Sequence, residues 1–535
     1  MVDLISKNPA IDLVLDTLKK KKQALVFVNS KRSAEKTAED IAKNIEFDRC
    51  KQKDKEKIEK YNKIADELRH ALSRPTKQCE RLAFCARKGI VFHHAGLVSR
   101  QRELIEDLFR TGDIKIICAT PTLAMGLDLP AFRTIIKDLK RFSAQGLNYI
   151  PVMEFHQICG RAGRPGKEDY GQAISIVKTD KQKNKVVEKF IFGDPEPILS
   201  KLAVEPILRT YLLSLIAADF VGTTDETFDF FRQTFWAHQY EDWQEIELII
   251  LRMLRDLEEW KFIETDMKKQ EKKPKKLFTN AFDLVRKTTG KHKLKATRLG
   301  NRVAELYLDP LTAHKLITDL RTAVNKGAGE ISYLFSICGT LEMRPLARMK
   351  TTEYDKLALT LSRYETQLLE DLPDEFSEEF VDFLSVFKTA LILKDWIEEK
   401  DEEYILGKFG VRPGELNAKI ANADWLLYST EELARLTNCM TLLSSIKRLR
   451  TRVKYGVKDE VLPLLKLENI GRVRARKLYK AGLTDIGRLR KADIHKLVNV
   501  LGKKTALNVK EQLGEKIDAA AVKEQKRGQL SLADY

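Results

Sequence analysis

The stretch Ile114-Lys-Ile-Ile-Cys118, followed at once by Ala119-Thr-Pro-Thr-Leu-Ala-Met-Gly-Leu-Asp-Leu-Pro130, decides the fold. A short β-branched run closed by small and hydroxyl residues reads as a buried strand that ends in a ligand-facing loop. Four similar runs lie around it: Ala24-Leu-Val-Phe-Val28, Gly89-Ile-Val-Phe92, Thr134-Ile-Ile136 and Ala173-Ile-Ser-Ile-Val177. Helical patterns separate them, beginning with the stripe Ile11, Val14, Leu15 and Leu18. Strands alternating with helices predict βαβ units on a parallel sheet. The highly charged segment from Asp48 to about Ser73 is expected to be a helical, exposed insertion.

From about Pro195 the strands thin out. Ile246, Ile249, Ile250, Met253, Leu254 and Leu257 form a helical stripe. Lys261-Phe-Ile-Glu264, a lysine-rich stretch from Lys268 to Lys276 and Leu294 to Thr297 follow it. Helices that end in a long basic hairpin suggest a winged helix. Residues 300–440 are helical by pattern, with Pro310, Pro345 and Pro413 as breaks. The polar tail after about Ala520 is short.

The chain has 535 residues, enough for about three to five domains. Its 43% hydrophobic and 32% charged content excludes a disordered or collagen-like chain. No apolar run approaches the ~18–20 residues that span a bilayer, and the N-terminus has no signal-peptide pattern. Seven scattered cysteines with no C-x-x-C pair point to a reducing cytoplasm and away from structural zinc or disulfides. The net charge of +17 points to a polyanionic partner. Between Thr441 and Lys516 there are 20 basic and 7 acidic residues, a local excess of +13. Basic residues interleaved with an apolar helical period predict a folded basic domain in that region.

Chemistry concentrates in the first 195 residues. In Gln157-Ile-Cys-Gly-Arg-Ala-Gly-Arg164, two arginines three apart share a face of a helical turn. Arginine keeps its charge and offers a planar fork to phosphate oxygens. Such a pair suits a γ-phosphate, where an arginine finger stabilises charge in the transition state. A basic turn closing a helix is the alternative. Small residues and hydroxyls after strand ends bring backbone N–H groups onto phosphates. They occur at Asn29-Ser30, His94-Ala-Gly96 and Thr120-Pro-Thr122. The pair His93-His94 has no third ligand at zinc spacing, so no metal site is expected.

These strand-end motifs, in this order, resemble the second RecA-like lobe of superfamily 2 helicases. Asp309-Pro-Leu-Thr312, Lys388-Thr-Ala390 with Lys394-Asp-Trp-Ile-Glu-Glu399, and Ile470-Gly-Arg-Val-Arg-Ala-Arg-Lys-Leu-Tyr479 extend the resemblance to archaeal Hjm-type (Ski-two-like) DNA helicases, colinear over about 1–516. The resemblance implies a multidomain α/β plus α protein. Its parts would be a RecA-like parallel-sheet lobe (1–195), a winged helix (196–300), a helical ratchet domain (301–455), a helix-hairpin-helix domain (456–520) and a tail (521–535). It further implies ATP-driven 3′-to-5′ DNA translocation at forks and at recombination and repair intermediates. DNA is favoured over RNA because the resemblance is to DNA helicases.

The sequence has no G-x-x-x-x-G-K followed by Ser or Thr, and no D-E-x-H. These would supply the phosphate cradle and the Mg²⁺ ligand. The chain starts where the family's second lobe begins. The expectation is therefore the C-terminal portion of a split helicase. Its first lobe would dock as a separate polypeptide carrying the main ligands for ATP and Mg²⁺, and this chain alone would be inactive. A stand-alone DNA-binding or scaffold module without catalysis is the second reading, and a shifted reading frame a third.

By resemblance, Arg164 is the finger, Arg161 reaches the nucleotide and Gln157 senses the γ-phosphate. Asp128, with Gly126, binds the ribose or couples nucleotide to DNA. Asn29, Ser30, His94, Ala95, Gly96, Thr120 and Thr122 touch DNA phosphates. Lys137 to Val152 looks like the strand-separating hairpin, with Phe142 and Tyr149 stacking on a terminal base pair and Lys140 and Arg141 holding phosphate. An ordinary exposed hairpin is the alternative. Trp425 corresponds to the family's base-stacking tryptophan. Ala418 stands where an arginine is expected, which leaves neighbouring Lys419, turned ~100° around the helix, for the phosphate. Gly471, Arg472, Arg474, Arg476, Lys477, Lys503 and Lys504 form two phosphate-binding turns. Gln529, Leu532 and Tyr535 resemble a sliding-clamp (PCNA) peptide that lacks its final aromatic; a polar tail is the alternative.

Overall fold

The structure is a computed structural model of the chain; it describes residues 8–49, 55–72, 74–126, 128–143, 146–163, 166, 168–266 and 292–515. Two compact units emerge: Met1–Ile198 with Asp401–Ala418, and Leu199–Lys400 with Lys419–Tyr535. Among the described residues no helix is long and apolar enough to cross a membrane.

The first unit is built on five parallel strands: β1 (Ala24–Phe27), β2 (Ile90–His93), β3 (Ile116–Ala119), β4 (Arg133–Ile136) and β7 (Gln172–Ser175). Their order is β2-β3-β1-β4-β7. Phe27 pairs with Ala119 and Ile136, and His93 with Ala119, so the carboxyl ends of four strands align. β1 to β4 are buried throughout, as their unbroken apolar runs require. The one cation inside, Arg133, is fully engaged. It donates to Leu13 O and Thr17 Oγ1 (both 2.8 Å), Asp16 Oδ2 (2.8 Å) and Gln172 Oε1 (2.6 Å), which joins the first helix to two strands. Between β4 and β7 an antiparallel hairpin, β5 (Lys140–Ser143) and β6 (Gly146–Tyr149), leaves the sheet.

The charged segment expected to be an exposed insertion is part of this core. Helix Lys55–Arg69 buries Tyr61, Ile64, Ala65 and Leu68, an i, i+3, i+4, i+7 stripe masked in the sequence by surrounding charge. Leu68 O accepts a bond from Gln101 Nε2 (3.0 Å).

In the second unit, helices Glu205–Ala217, Thr224–Arg232, Phe235–Tyr240 and Trp243–Glu259 lead into an antiparallel pair, β8 (Ile263–Thr265) and β9 (Leu294–Ala296). The lysine-rich stretch between them lies outside the described residues. Helices then dominate, including Glu378–Ile397 and the 24-residue Pro413–Leu436, which begins in the first unit. Arg209 makes a buried two-point ion pair with Asp309 (3.1 and 2.9 Å). The helices Arg472–Lys480, Ile486–Lys491, Ile494–Leu501 and Lys503–Gln512 close around their own core of Val461, Leu464, Leu478, Leu489, Leu497 and Val509.

Candidate functional site

The aligned strand ends of the first unit release their loops side by side, where ligands bind in open parallel sheets. An open groove of about 780 Å³ lies there. Asn29 and Ser30 after β1, Ala95 after β2, Thr120 and Thr122 after β3, and Arg141 of the hairpin all line it. Lys31, Arg32 and Arg412 add positive charge. Asn29 is fixed by Asp138 Oδ2 on its backbone N–H (3.3 Å) and by donating to Lys140 O (2.9 Å). The Thr120 and Thr122 hydroxyls bond each other at 3.0 Å. Hydroxyls, backbone ends and cations at one edge suit a phosphate chain read without regard to base sequence.

His94 and Gly96 do not face this groove. His94 is fully buried: its Nδ1 accepts from Gly96 N (3.0 Å) and its Nε2 lies 3.2 Å from Glu35 Oε1. Burial holds the imidazole below its usual range, so it is neutral and shapes the turn that presents Ala95. Gly96 is buried against Arg412, whose Cδ would lie 2.4 Å from an added Cβ. Glu35 is the hub. Burial works to raise its carboxyl, but His94, Arg412 and Arg81 outweigh burial and hold it at about 2. Arg412 donates to Glu35 Oε1 (3.0 Å) across 377 residues, and Lys31 pairs with Glu415. Gly414 N bonds Gly96 O (3.1 Å), which seats the segment Asp401–Ala418 against the β2 loop. No periodicity or motif marked Arg412 or Lys31 as groove residues, or Glu35 as the group behind them.

The arginine turn follows helix Val152–Cys159, on which Gln157 is exposed. Arg161 donates through Nε and Nη2 to Ala124 O (3.1 and 2.7 Å), and its Nη1 stands 3.7 Å from the exposed Asp128. Ala131 N bonds Arg161 O (2.9 Å) and Gly163 N bonds Ala131 O (2.7 Å). Gly171 has to be glycine, because an added Cβ would sit 2.3 Å from Gly163 N. Arg161 is thereby clamped to the 3-10 turn Pro121–Ala124, whose Thr122 and preceding Thr120 line the groove. Gly126 has φ +76° with open space around it. Arg164 lies outside the described residues. Among the described residues no three His, Cys, Asp or Glu side chains stand together as metal ligands.

In the hairpin, Arg141 Nη1 donates to Glu154 Oε1 and Oε2 (3.1 and 2.8 Å); burial raises that carboxyl. Tyr149, expected to stack on a terminal base pair, pairs with Lys140 at the hairpin base and packs edge-on against buried Phe190 (5.9 Å). Among the described residues near the tip, Leu147 is apolar and 51% exposed. The Phe142 side chain and residues 144–145 lie outside the described residues.

In the second unit, Trp425 is half-buried and donates Nε1 to Leu306 O (3.1 Å). Lys419 is buried and donates to Pro345 O (2.8 Å), so its ammonium holds a loop and is not presented to a phosphate. Gly471 and Gly502 stand at helix N-termini with no neighbour where a Cβ would go. Arg474, Lys477 and Lys504 are exposed there and Lys503 is half-exposed. Arg472 and Arg476 face inward. Arg472 lies over the Trp396 ring (4.5 Å) and donates to Lys400 O (2.9 Å). Arg476 donates to both oxygens of Glu399 (2.8 and 2.6 Å) and to Glu460 (2.5 Å). Ion pairing engages Arg476 before any DNA arrives. Gln529, Leu532 and Tyr535 lie outside the described residues.

Residues 72–166 match the family described as "Helicase conserved C-terminal domain". Residues 331–456 match "Archaeal helicase, domain 4", and 461–515 match "SAM-like Helix-hairpin-helix tandem". Groove, arginine turn and helical modules together define an archaeal-type helicase. Proteins named ATP-dependent DNA helicase Hel308 are similar along nearly the whole chain. That of Methanococcus vannielii is 35% identical over 96% of this chain and 69% of its own. Those of Methanocella arvoryzae (35%) and Pyrococcus horikoshii (36%) cover 97% and 95% of this chain and 66% of theirs. The chain belongs to the Hel308 family. It spans about two thirds of the length of these relatives.

Proposed function

We propose that this chain is the DNA-gripping, arginine-bearing part of an ATP-dependent 3′-to-5′ DNA helicase acting on forks and on recombination and repair intermediates. The observation that carries the reading is the Arg161 clamp on Ala124 O, which ties the arginine turn to the turn lining the groove. Arg161 and Arg164 then face the nucleotide with Gln157, and Asp128 and Gly126 link it to the groove, where Asn29, Ser30, Ala95, Thr120 and Thr122 hold phosphates. The phosphate cradle and the Mg²⁺ ligands come from outside these 535 residues, which hold neither motif. In this reading residues 196–300 are a winged helix, 301–455 a ratchet domain stacking a base on Trp425, and 456–520 a second DNA grip. Gln529, Leu532 and Tyr535 bind a sliding clamp; deleting residues 528–535 should abolish that binding, and unchanged binding removes the idea.

The test is to supply a first RecA-like lobe as a separate polypeptide and measure DNA-stimulated ATP hydrolysis. The expected result is activity that neither chain has alone, lost in Arg164→Ala. No gain on mixing sinks the reading and leaves a DNA-binding module without catalysis.

A further inference from the structure

The hairpin has two faces, and only one belongs to the groove. Side chains alternate along a strand, so Arg141 and Lys140 point to opposite faces. Arg141 lines the groove. Lys140 lies over the Tyr149 ring, its Nζ 4.7 Å from the centroid. Two more ammonium groups converge on that ring: Lys185 at 5.8 Å and Lys189 at 5.6 Å. Three positive charges therefore lie within a 5.8 Å sphere about one centroid. The ring cannot swing away, because it packs edge-on against Phe190, which stacks on Phe155 at 4.6 Å.

Like charges this close repel. The ring face offsets part of that cost. Carboxylates do not offset the rest: among the described residues none forms an ion pair with Lys140, Lys185 or Lys189 within 4.0 Å. Glu196, which lies near Lys189, spends its oxygens on Val152 N (2.7 Å) and Met153 N (3.1 Å). Among the described residues the cluster brings three cations together with no carboxylate directly ion-paired to any of them, Glu196 acting on Lys189 only through its field.

We infer that Lys140, Lys185 and Lys189, held around Tyr149, bind the phosphate backbone of the second DNA strand, the one that leaves the groove at the hairpin. Continuity argues for nucleic acid over an acidic protein: Lys140 O accepts the bond from groove residue Asn29, so the two surfaces share a residue. The inference rests on the hairpin reading above and adds a strand path to it. One strand follows the Arg141 face and the other the Lys140 face.

The test uses the full chain without ATP and two forks of identical duplex and loading arm, one with and one without a second arm. Binding is read by fluorescence anisotropy against salt. On the two-armed fork, Lys185→Ala/Lys189→Ala should lower the slope of log K on log salt by about 1.4 and weaken binding at least ~10-fold at 0.1 M salt, since each phosphate contact to a single strand contributes about 0.7 to the slope. The one-armed fork should bind as in wild type, and Lys185→Arg/Lys189→Arg should bind both normally. Equal loss on both forks, or an unchanged slope on the two-armed fork, overturns the site. A wild-type chain that binds neither fork overturns the functional reading as well.

Discussion

Replacing Glu35 by Gln removes one charge and little volume from the hub behind the groove. The carboxyl is 4% exposed, and Arg81, Arg412 and His94 converge on it. Its pKa falls from 4.5 to about 2 on folding. At 1.36 kcal/mol per unit, the ionised group contributes about 3 kcal/mol at neutral pH. The unfolded chain takes up the proton more readily, so this stabilisation is complete above pH 4.5 and fades as pH falls toward 2. All five tryptophans, from Trp236 to Trp425, lie in the second unit, so their fluorescence does not follow this loss. Amide hydrogen exchange in β2 and β3 does. Protection there should drop on the order of 10²-fold in Glu35→Gln at pH 7, and the two proteins should converge near pH 2. Protection unchanged at pH 7, or a gap that persists at pH 2, would refute the assignment of Glu35 as hub.

Gly414→Ala places a Cβ 2.3 Å from Leu97 O and 2.6 Å from Ala95 O, so the segment Asp401–Ala418 must shift. The expected cost is about 1–3 kcal/mol, seen as faster proteolysis within that segment. Arg476→Ala should destabilise the C-terminal helices by about 1–2 kcal/mol in denaturation while leaving the salt slope of DNA binding unchanged, because its partners are Glu399 and Glu460. Lys504→Ala should do the reverse, lowering the slope by about 0.9 with no change in stability. Trp425→Ala should weaken single-strand binding by the equivalent of about 1–3 kcal/mol, with Trp425→Phe retaining most of it. An unfolded alanine variant would place that indole in the core.

The lining of the groove is legible in the sequence wherever a residue sits next to a strand end. Asn29, Ser30, Ala95, Thr120 and Thr122 are each within three residues of a buried β-branched run, and the parallel sheet then brings those ends together. Legibility fails where azimuth or long-range packing decides. His94 and Ala95 are adjacent, yet one is buried and the other faces the groove, and a run of letters does not state which. Lys419 looks like a surface cation until its helix turns it onto Pro345 O. Tyr149 reads as a base-stacking residue of the hairpin, and only strand register shows that it stands opposite Lys140 at the hairpin base. Arg412 carries no local signal, since what places it at the groove, Glu35 and Gly96, lies more than 300 positions away.

The clamp between Arg161 and Ala124 bears on how nucleotide and DNA affect each other. The turn Pro121–Ala124 is four residues of 3-10 helix, about 8 Å long at ~2 Å per residue. Arg161 grips one end of it, and the Thr120–Thr122 hydroxyl pair sits at the other. Over one tightly wound turn there is little slack to absorb a displacement. If Arg161 moves toward a nucleotide, it either gives up two hydrogen bonds to Ala124 O or carries the turn with it. Carrying the turn repositions Thr120 and Thr122 in the groove. Giving up the bonds leaves a carbonyl without its charged partner, a cost that disfavours nucleotide binding unless DNA holds the turn from the other side. In the proposed function the two ligands are then coupled, either way, through one short element, and by linkage the coupling is the same in both directions. Arg161→Lys keeps the charge but loses the fork that grips Ala124 O from two nitrogens, so it should uncouple the sites before it abolishes binding at either.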